Sequence, residues 1–113
     1  MLDGKRVAVV IPAYNEEQLL GPTVEGIPGF VDRIYIVDDR SRDATVERAK
    51  ALSDTRVRVI EHERNEGVGA AIVTGYRAVA ADKIDVTAVM AADNQMASAT
   101  RPQSARGFVG LCG

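Results

Sequence analysis

Three short clusters hold the residues whose types and spacing could do chemistry. They are Tyr14 within PAYNEE (12–17), Asp38 and Asp39 within IVDDR (36–40), and Asp93 with Gln95 within AADNQ (91–95). Tyr14 offers a flat ring that could stack on a nucleobase, a contact worth about 1 to 3 kcal/mol. The plainer alternative is an amphipathic tyrosine partly buried at a strand-to-helix turn. Asp38 and Asp39 could accept hydrogen bonds from the imide or amide N–H of a base and from ribose hydroxyls. Against this stands helix capping by one acid and solvation of the other. Asp93 and Gln95 place two hard oxygens one residue apart. Mg²⁺ or Mn²⁺ commonly takes one or two protein carboxylates and fills its octahedron with water and substrate phosphates, so a single acid can suffice. A polar turn after a strand is the alternative.

Weaker signals surround these. GVG (67–69) could loop around a phosphate, but two glycines before a helix also serve tight turning and close packing. Neither GxGxxG nor GxxxxGK[ST] is present, so neither a dinucleotide fold nor a P-loop is indicated. His62, the only histidine, has no nucleophile in a recognisable arrangement and reads as a surface or capping residue. Cys112 receives the same reading.

The elements that must position these groups follow from periodicity. VAVVI (7–11) is a continuous β-branched and aliphatic run ended by Pro12, the signature of a strand covered on both faces. A helix is predicted from about Glu16, capped by Asn15, with Leu20, Val24 and Ile27 inward and a kink or late start at Pro22. RIYIVDD (33–39) is the second strand. The following helix has Asp43 as cap and Val46, Ala49 and Leu52 inward. RVRVI (56–60) is the third strand, and the helix after Gly67 and Gly69 is predicted to turn Ile72, Tyr76 and Val79 inward. VTAVM (86–90) is the fourth strand. The order β-α-β-α-β-α-β with short right-handed connections gives a three-layer α/β/α fold on a parallel, Rossmann-like sheet. Such sheets bind ligands beyond the carboxyl ends of their strands. Residues 12–16, 38–39 and 93–95 all fall there, remote in sequence and convergent in space.

Composition narrows the class. With 113 residues, 46% of them hydrophobic and only 4% aromatic, the chain is one domain with an aliphatic core. A net charge of -2 with interspersed signs gives no basic field for nucleic acid. A single cysteine excludes an internal disulfide and, without an apolar run of 18 residues or a leader, suggests a cytoplasmic placement. Residues 97–113 hold two bases and no acid, unlike the preceding chain, which carries all 16 acids. They read as an atypical tail after a domain spanning 1–96, a truncated or alien end.

VAVVIPAYNEE, IYIVDDRSRDAT, NEGVGAA and VMAADNQM, in this order and spacing, resemble the amino-terminal nucleotide-sugar-binding half of inverting family 2 glycosyltransferases of the GT-A fold. They are most similar to polyprenyl- or dolichyl-phosphate sugar transferases. The resemblance implies that Pro12, Tyr14 and Glu16 shape the base and ribose pocket, and that Asp39, supported by Asp38, reads the base. The family ends its fourth strand in D-x-D. Asp93 matches the second acid, which holds the divalent cation, Mg²⁺ or Mn²⁺, whereas Ala91 replaces the first. Gln95 matches a position that also approaches the metal. The implied ligand is a UDP- or GDP-linked sugar, and the implied acceptor a polyprenyl phosphate at a membrane. Acceptor-side groups, including any catalytic acid or base, belong to a later half of the family's domain, so no catalytic residue is assigned here. A half-domain leaves an uncovered sheet edge through which two chains could pair. Two other readings remain: a nucleotidyltransferase-like domain, which would carry a glycine-rich basic loop where PAYNEE is acidic, and a non-catalytic nucleotide-binding or interaction module.

Overall fold

The computed structural model describes residues 3–91. Four strands form one parallel sheet: β1 (Val7–Ala13), β2 (Arg33–Asp38), β3 (Val57–Glu61) and β4 (Val86–Val89), in the spatial order β3-β2-β1-β4. The chain steps outward from β1 through β2 to β3, then returns past β1 to lay down β4 on its other side. Strand order therefore reverses between β1 and β4, the place where open α/β sheets form a ligand crevice. The registers bring the ends of β1, β2 and β3 level, with Ala13 opposite Asp38 and Asp38 opposite Glu61, whereas β4 ends at Val89 opposite Val10, short of the end of β1.

The sheet is covered on both faces, as its continuous apolar strands require. Alternation along β1 and β2 sorts their side chains between two cores. Val7, Val9, Ile11 and Ala13, with Ile34 and Ile36, pack against Leu20, Val24 and Ala49 of α1 (Leu20–Glu25) and α2 (Thr45–Ala51). Ala8, Val10, Tyr35 and Val37 pack against Ala71 and Val79 of α3 (Val68–Ala81). The approach of α3 to β1 depends on Gly75, where an added Cβ would lie 2.3 Å from Cγ1 of Val10.

Several expectations shift at this level. The first helix begins at Leu20 rather than Glu16: a turn closed by the Leu19 and Leu20 N–H groups on the Glu16 carbonyl comes first. Pro22 then falls in the helix's first turn, where a missing N–H costs nothing. Asn15 does not cap that helix. It holds a left-handed conformation at φ 54°, a state asparagine tolerates, and turns its amide toward the neighbouring loop. Asp43 is not the cap of α2, which is Ala44 without a side-chain bond; it stands one residue earlier and accepts the Thr45 N–H at 3.0 Å. On α3 the inward face is Ala71, Gly75 and Val79, spaced i, i+4 and i+8, whereas Tyr76 is 39% exposed. Val79 is inward as expected, but the positions of closest approach are the small Ala71 and Gly75, which leaves Ile72 half-buried and Tyr76 exposed. Among the described residues no helix is long and apolar enough to cross a membrane.

Candidate functional site

The loops after β1 and β2 are stitched together by side chains that sequence reading left aside. Ser41 Oγ accepts the Asn15 N–H at 2.9 Å, Asn15 Oδ1 accepts the Arg42 N–H at 2.8 Å, and Thr45 Oγ1 accepts the Glu16 N–H at 2.9 Å. The Asp39 N–H adds a bond to the Ala13 carbonyl at 2.9 Å. These four bonds fix Tyr14 and Glu16 relative to Asp39. Beyond them lies a cavity of about 300 Å³ lined by Pro12, Ala13, Tyr14, Glu16, Asp39, Val68, Ala71 and Ala91. It opens where β1 and β4 part, at the reversal of strand order. The ends of three strands and the start of α3, remote in sequence, thus share one crevice.

The two adjacent acids do different work, and neither is solvated. Asp38 is 3% exposed, and its carboxylate accepts the backbone N–H and the hydroxyl of Ser41, closing its own loop. It does not line the cavity. Asp39 is 4% exposed and does line it. Its Oδ1 accepts the Glu66 N–H at 2.8 Å and faces His62 Nδ1 at 3.0 Å, while its Oδ2 accepts the Gly67 N–H at 2.8 Å. Its backbone carbonyl accepts Asn65 Nδ2 at 3.2 Å. Burial pushes the Asp39 carboxyl up, but the Glu66 N–H, His62 and the Gly67 N–H outweigh it and hold the group below the ordinary 3.8. The result is a buried carboxylate anion at the wall of the cavity. Gly67 reaches it at φ 98°, backbone that a residue with a side chain rarely adopts.

His62 is not a surface residue. Its side chain is 9% exposed and bridges Asp39 to α3 through Nε2, 2.8 Å from Thr74 Oγ1. The signal for it was present: His62 directly follows β3, at the same rim as every other candidate. Tyr14 is 40% exposed at the cavity mouth, and Glu16 is half-buried. Asp93, Gln95 and Cys112 lie outside the described residues, as does the whole of 97–113; Ala91, two residues before Asp93, stands on the cavity wall.

The pattern described as Glycosyl transferase family 2 matches residues 8–102. The chain belongs to this family. Among family relatives, a UDP-N-acetylglucosamine–dolichyl-phosphate N-acetylglucosaminyltransferase of Methanococcus voltae is 33% identical over 108 residues, covering 82% of this chain and 43% of that protein. A dolichol-phosphate mannosyltransferase of Pyrococcus furiosus is 36% identical over 95 residues, covering 80% of this chain and 26% of that protein. The fold also matches glucosyl-3-phosphoglycerate synthase of Mycobacterium tuberculosis, solved with UDP, Mn²⁺ and glucosyl-3-phosphoglycerate. There the TM-score is 0.62 and the identity 29%, over 80% of this chain and 34% of that one. The chain therefore spans less than half the length of each of these three proteins. The family and the GT-A-like α/β fold agree with the sequence reading.

Proposed function

We propose that this chain is the donor-binding portion of a glycosyltransferase, and that its cavity takes the nucleoside diphosphate of a UDP- or GDP-linked sugar. The observation that carries the reading is the shared crevice at the β1/β4 reversal, where Tyr14, Glu16 and the anionic Asp39 meet. A base stacked by Tyr14 can donate an imide N–H to Asp39, with Pro12 and Glu16 bounding the base and ribose. Asp38 supports this indirectly, by holding the loop that carries Asp39. The UDP and Mn²⁺ bound by the mycobacterial synthase favour the same class of ligand.

Among the described residues no group of three His, Cys, Asp or Glu is placed to hold a metal ion. Asp39, already accepting from several donors, is poorly suited to one. The donor set proposed for Mg²⁺ or Mn²⁺ is Asp93 with Gln95. Asp93 follows Ala91, a residue of the cavity wall, by two positions in the sequence, and this supports the assignment. One carboxylate, an amide oxygen, diphosphate oxygens and water suit either cation. When bound, such a cation offsets the charge that grows on a departing nucleoside diphosphate. The acceptor class suggested by the dolichyl-phosphate relatives is a polyprenyl phosphate at a membrane, with this portion on the cytoplasmic side. Pairing of two chains through the edge of β4 belongs to the same reading, and a monomer in light scattering at high concentration would remove it.

The test is calorimetric titration with UDP, GDP and CDP, with and without Mn²⁺. Binding is expected for UDP or GDP and to strengthen with Mn²⁺. Tyr14→Ala should weaken it by about 1 to 3 kcal/mol without loss of stability, and Asp93→Ala should abolish the metal-dependent part. Indifference to every nucleotide would reject the proposal.

A further inference from the structure

Asp39 can read a base only if its carboxylate stays in one orientation, and the structure shows what holds it. A carboxylate has about four acceptor positions. Three are filled: two on Oδ1, by the Glu66 N–H and His62, and one on Oδ2, by the Gly67 N–H. Among the described residues no donor fills the fourth, on Oδ2, and Asp39 lines the cavity. Two of the three donors are backbone groups fixed by the chain's course into α3. The third is a side chain, and it is the only one of the three held from outside that segment, by Thr74 midway along α3.

We propose that His62 is a positioning residue for nucleotide recognition: its Nδ1–H pins Oδ1 of Asp39, turning Oδ2 toward the base. The inference rests on the nucleotide-binding reading above. The chemistry of the three groups sets the direction of each bond. An ionised carboxylate only accepts, so Nδ1 must carry a proton. In the neutral ring Nε2 is then bare, and it accepts the Thr74 hydroxyl. The Asp39 carboxylate thereby selects the tautomer, and the Thr74 hydroxyl satisfies the nitrogen left bare.

Asparagine and glutamine separate the two bonds of His62. The amide nitrogen of asparagine falls near the place of Nδ1 and can still donate to Asp39; that of glutamine falls near Nε2 and reaches Thr74. His62→Asn is expected to bind UDP with near-native affinity. His62→Gln is expected to bind about tenfold more weakly and to discriminate less against CDP, whose ring nitrogen lacks the imide proton, a loss of the size of one hydrogen bond to a charged group. Thermal melts of the two variants should agree within a few degrees, so that affinity and stability separate. Equal UDP affinity in the two would overturn the proposal.

A second measurement needs no nucleotide. Long-range ¹H–¹⁵N correlation spectra of the unliganded chain should show a proton on His62 Nδ1; a bare Nδ1 would overturn the proposal. If the native chain binds no nucleotide at all, the donor-binding reading fails and takes the affinity half of this inference with it. The ¹⁵N spectrum still decides whether His62 pins Asp39.

Discussion

Helix α3 is tied to the sheet by a polar anchor at each end, and the two anchors differ in what they leave over. At its C-terminal end Tyr35, 2% exposed on β2, donates its hydroxyl to Asp82 Oδ2, the residue that closes the helix. Burial, then the Asp82 carboxylate, raise the Tyr35 phenol to about 12. The donor there is spent on its acceptor. Over the N-terminal half Asp39, His62, Thr74, Glu66 and Gly67 form a larger cluster whose carboxylate lines a cavity, with one acceptor position unfilled among the described residues. Both ends fasten the helix by the same physics. A buried polar cluster becomes a candidate site when its satisfaction is incomplete toward open space, and burial alone does not distinguish the two.

Substitutions can break this comparison, and the largest effect belongs to Asp39→Ala. It strands the Glu66 N–H, the Gly67 N–H and His62 Nδ1 in a buried setting, each at about 1 to 3 kcal/mol if left bare. A net loss of about 3 kcal/mol in urea unfolding is expected, together with loss of nucleotide binding. The isosteric Asp39→Asn sharpens the point through pH. The native carboxyl lies below its unfolded value of 3.8, so its stabilisation is complete above that value. It is lost as pH falls from there through the lower native value. The asparagine variant should lack that part of the acid limb, and an unchanged limb would show that Asp39 carries no such linkage.

Between the anchors, Gly75→Ala is expected to cost about 2 kcal/mol. Its Cβ would fall against Val10, within a core that cannot yield 1 Å without moving the helix. If α3 lifts at its cavity end, UDP binding weakens with it. Native stability would show instead that Val10 rotates aside. The smallest effect should come from Tyr35→Phe, about 1 kcal/mol, with nucleotide binding unaltered. Sign again follows from the shift: a phenol raised from 10 to about 12 contributes fully below pH 10 and is lost as pH rises through 12. The phenylalanine variant should show a flatter alkaline limb. Reduced UDP binding in this variant would erase the distinction between the two ends.

Much of the fold was legible in residue patterns, because strands covered on both faces have to be continuously apolar. VAVVI and RIYIVDD declared themselves, and the order of elements followed. The convergence of Tyr14, Glu16 and Asp39 was legible too, since a parallel sheet with right-handed crossovers brings every strand's carboxyl end to one rim. What escaped was local. Asn15 has the composition of a helix cap and serves as a bridge between loops, and His62 looked solitary because its partners, Asp39 and Thr74, lie 23 residues before it and 12 after it. On α3 Val79 faces inward as expected, but hydrophobicity also favoured Ile72 and Tyr76, whereas close approach to β1 favoured Ala71 and Gly75.

The sequence by itself determined the layered α/β architecture, the family, and the rim on which the polar residues gather, since each follows from periodicity, motif order and chain direction. Only the tertiary structure decided which acid closes its own loop and which faces the cavity. Asp38 and Asp39 are chemical equals one residue apart. Strand alternation turns them to opposite surroundings, and hydrogen-bond donors delivered from distant loops set their separate tasks.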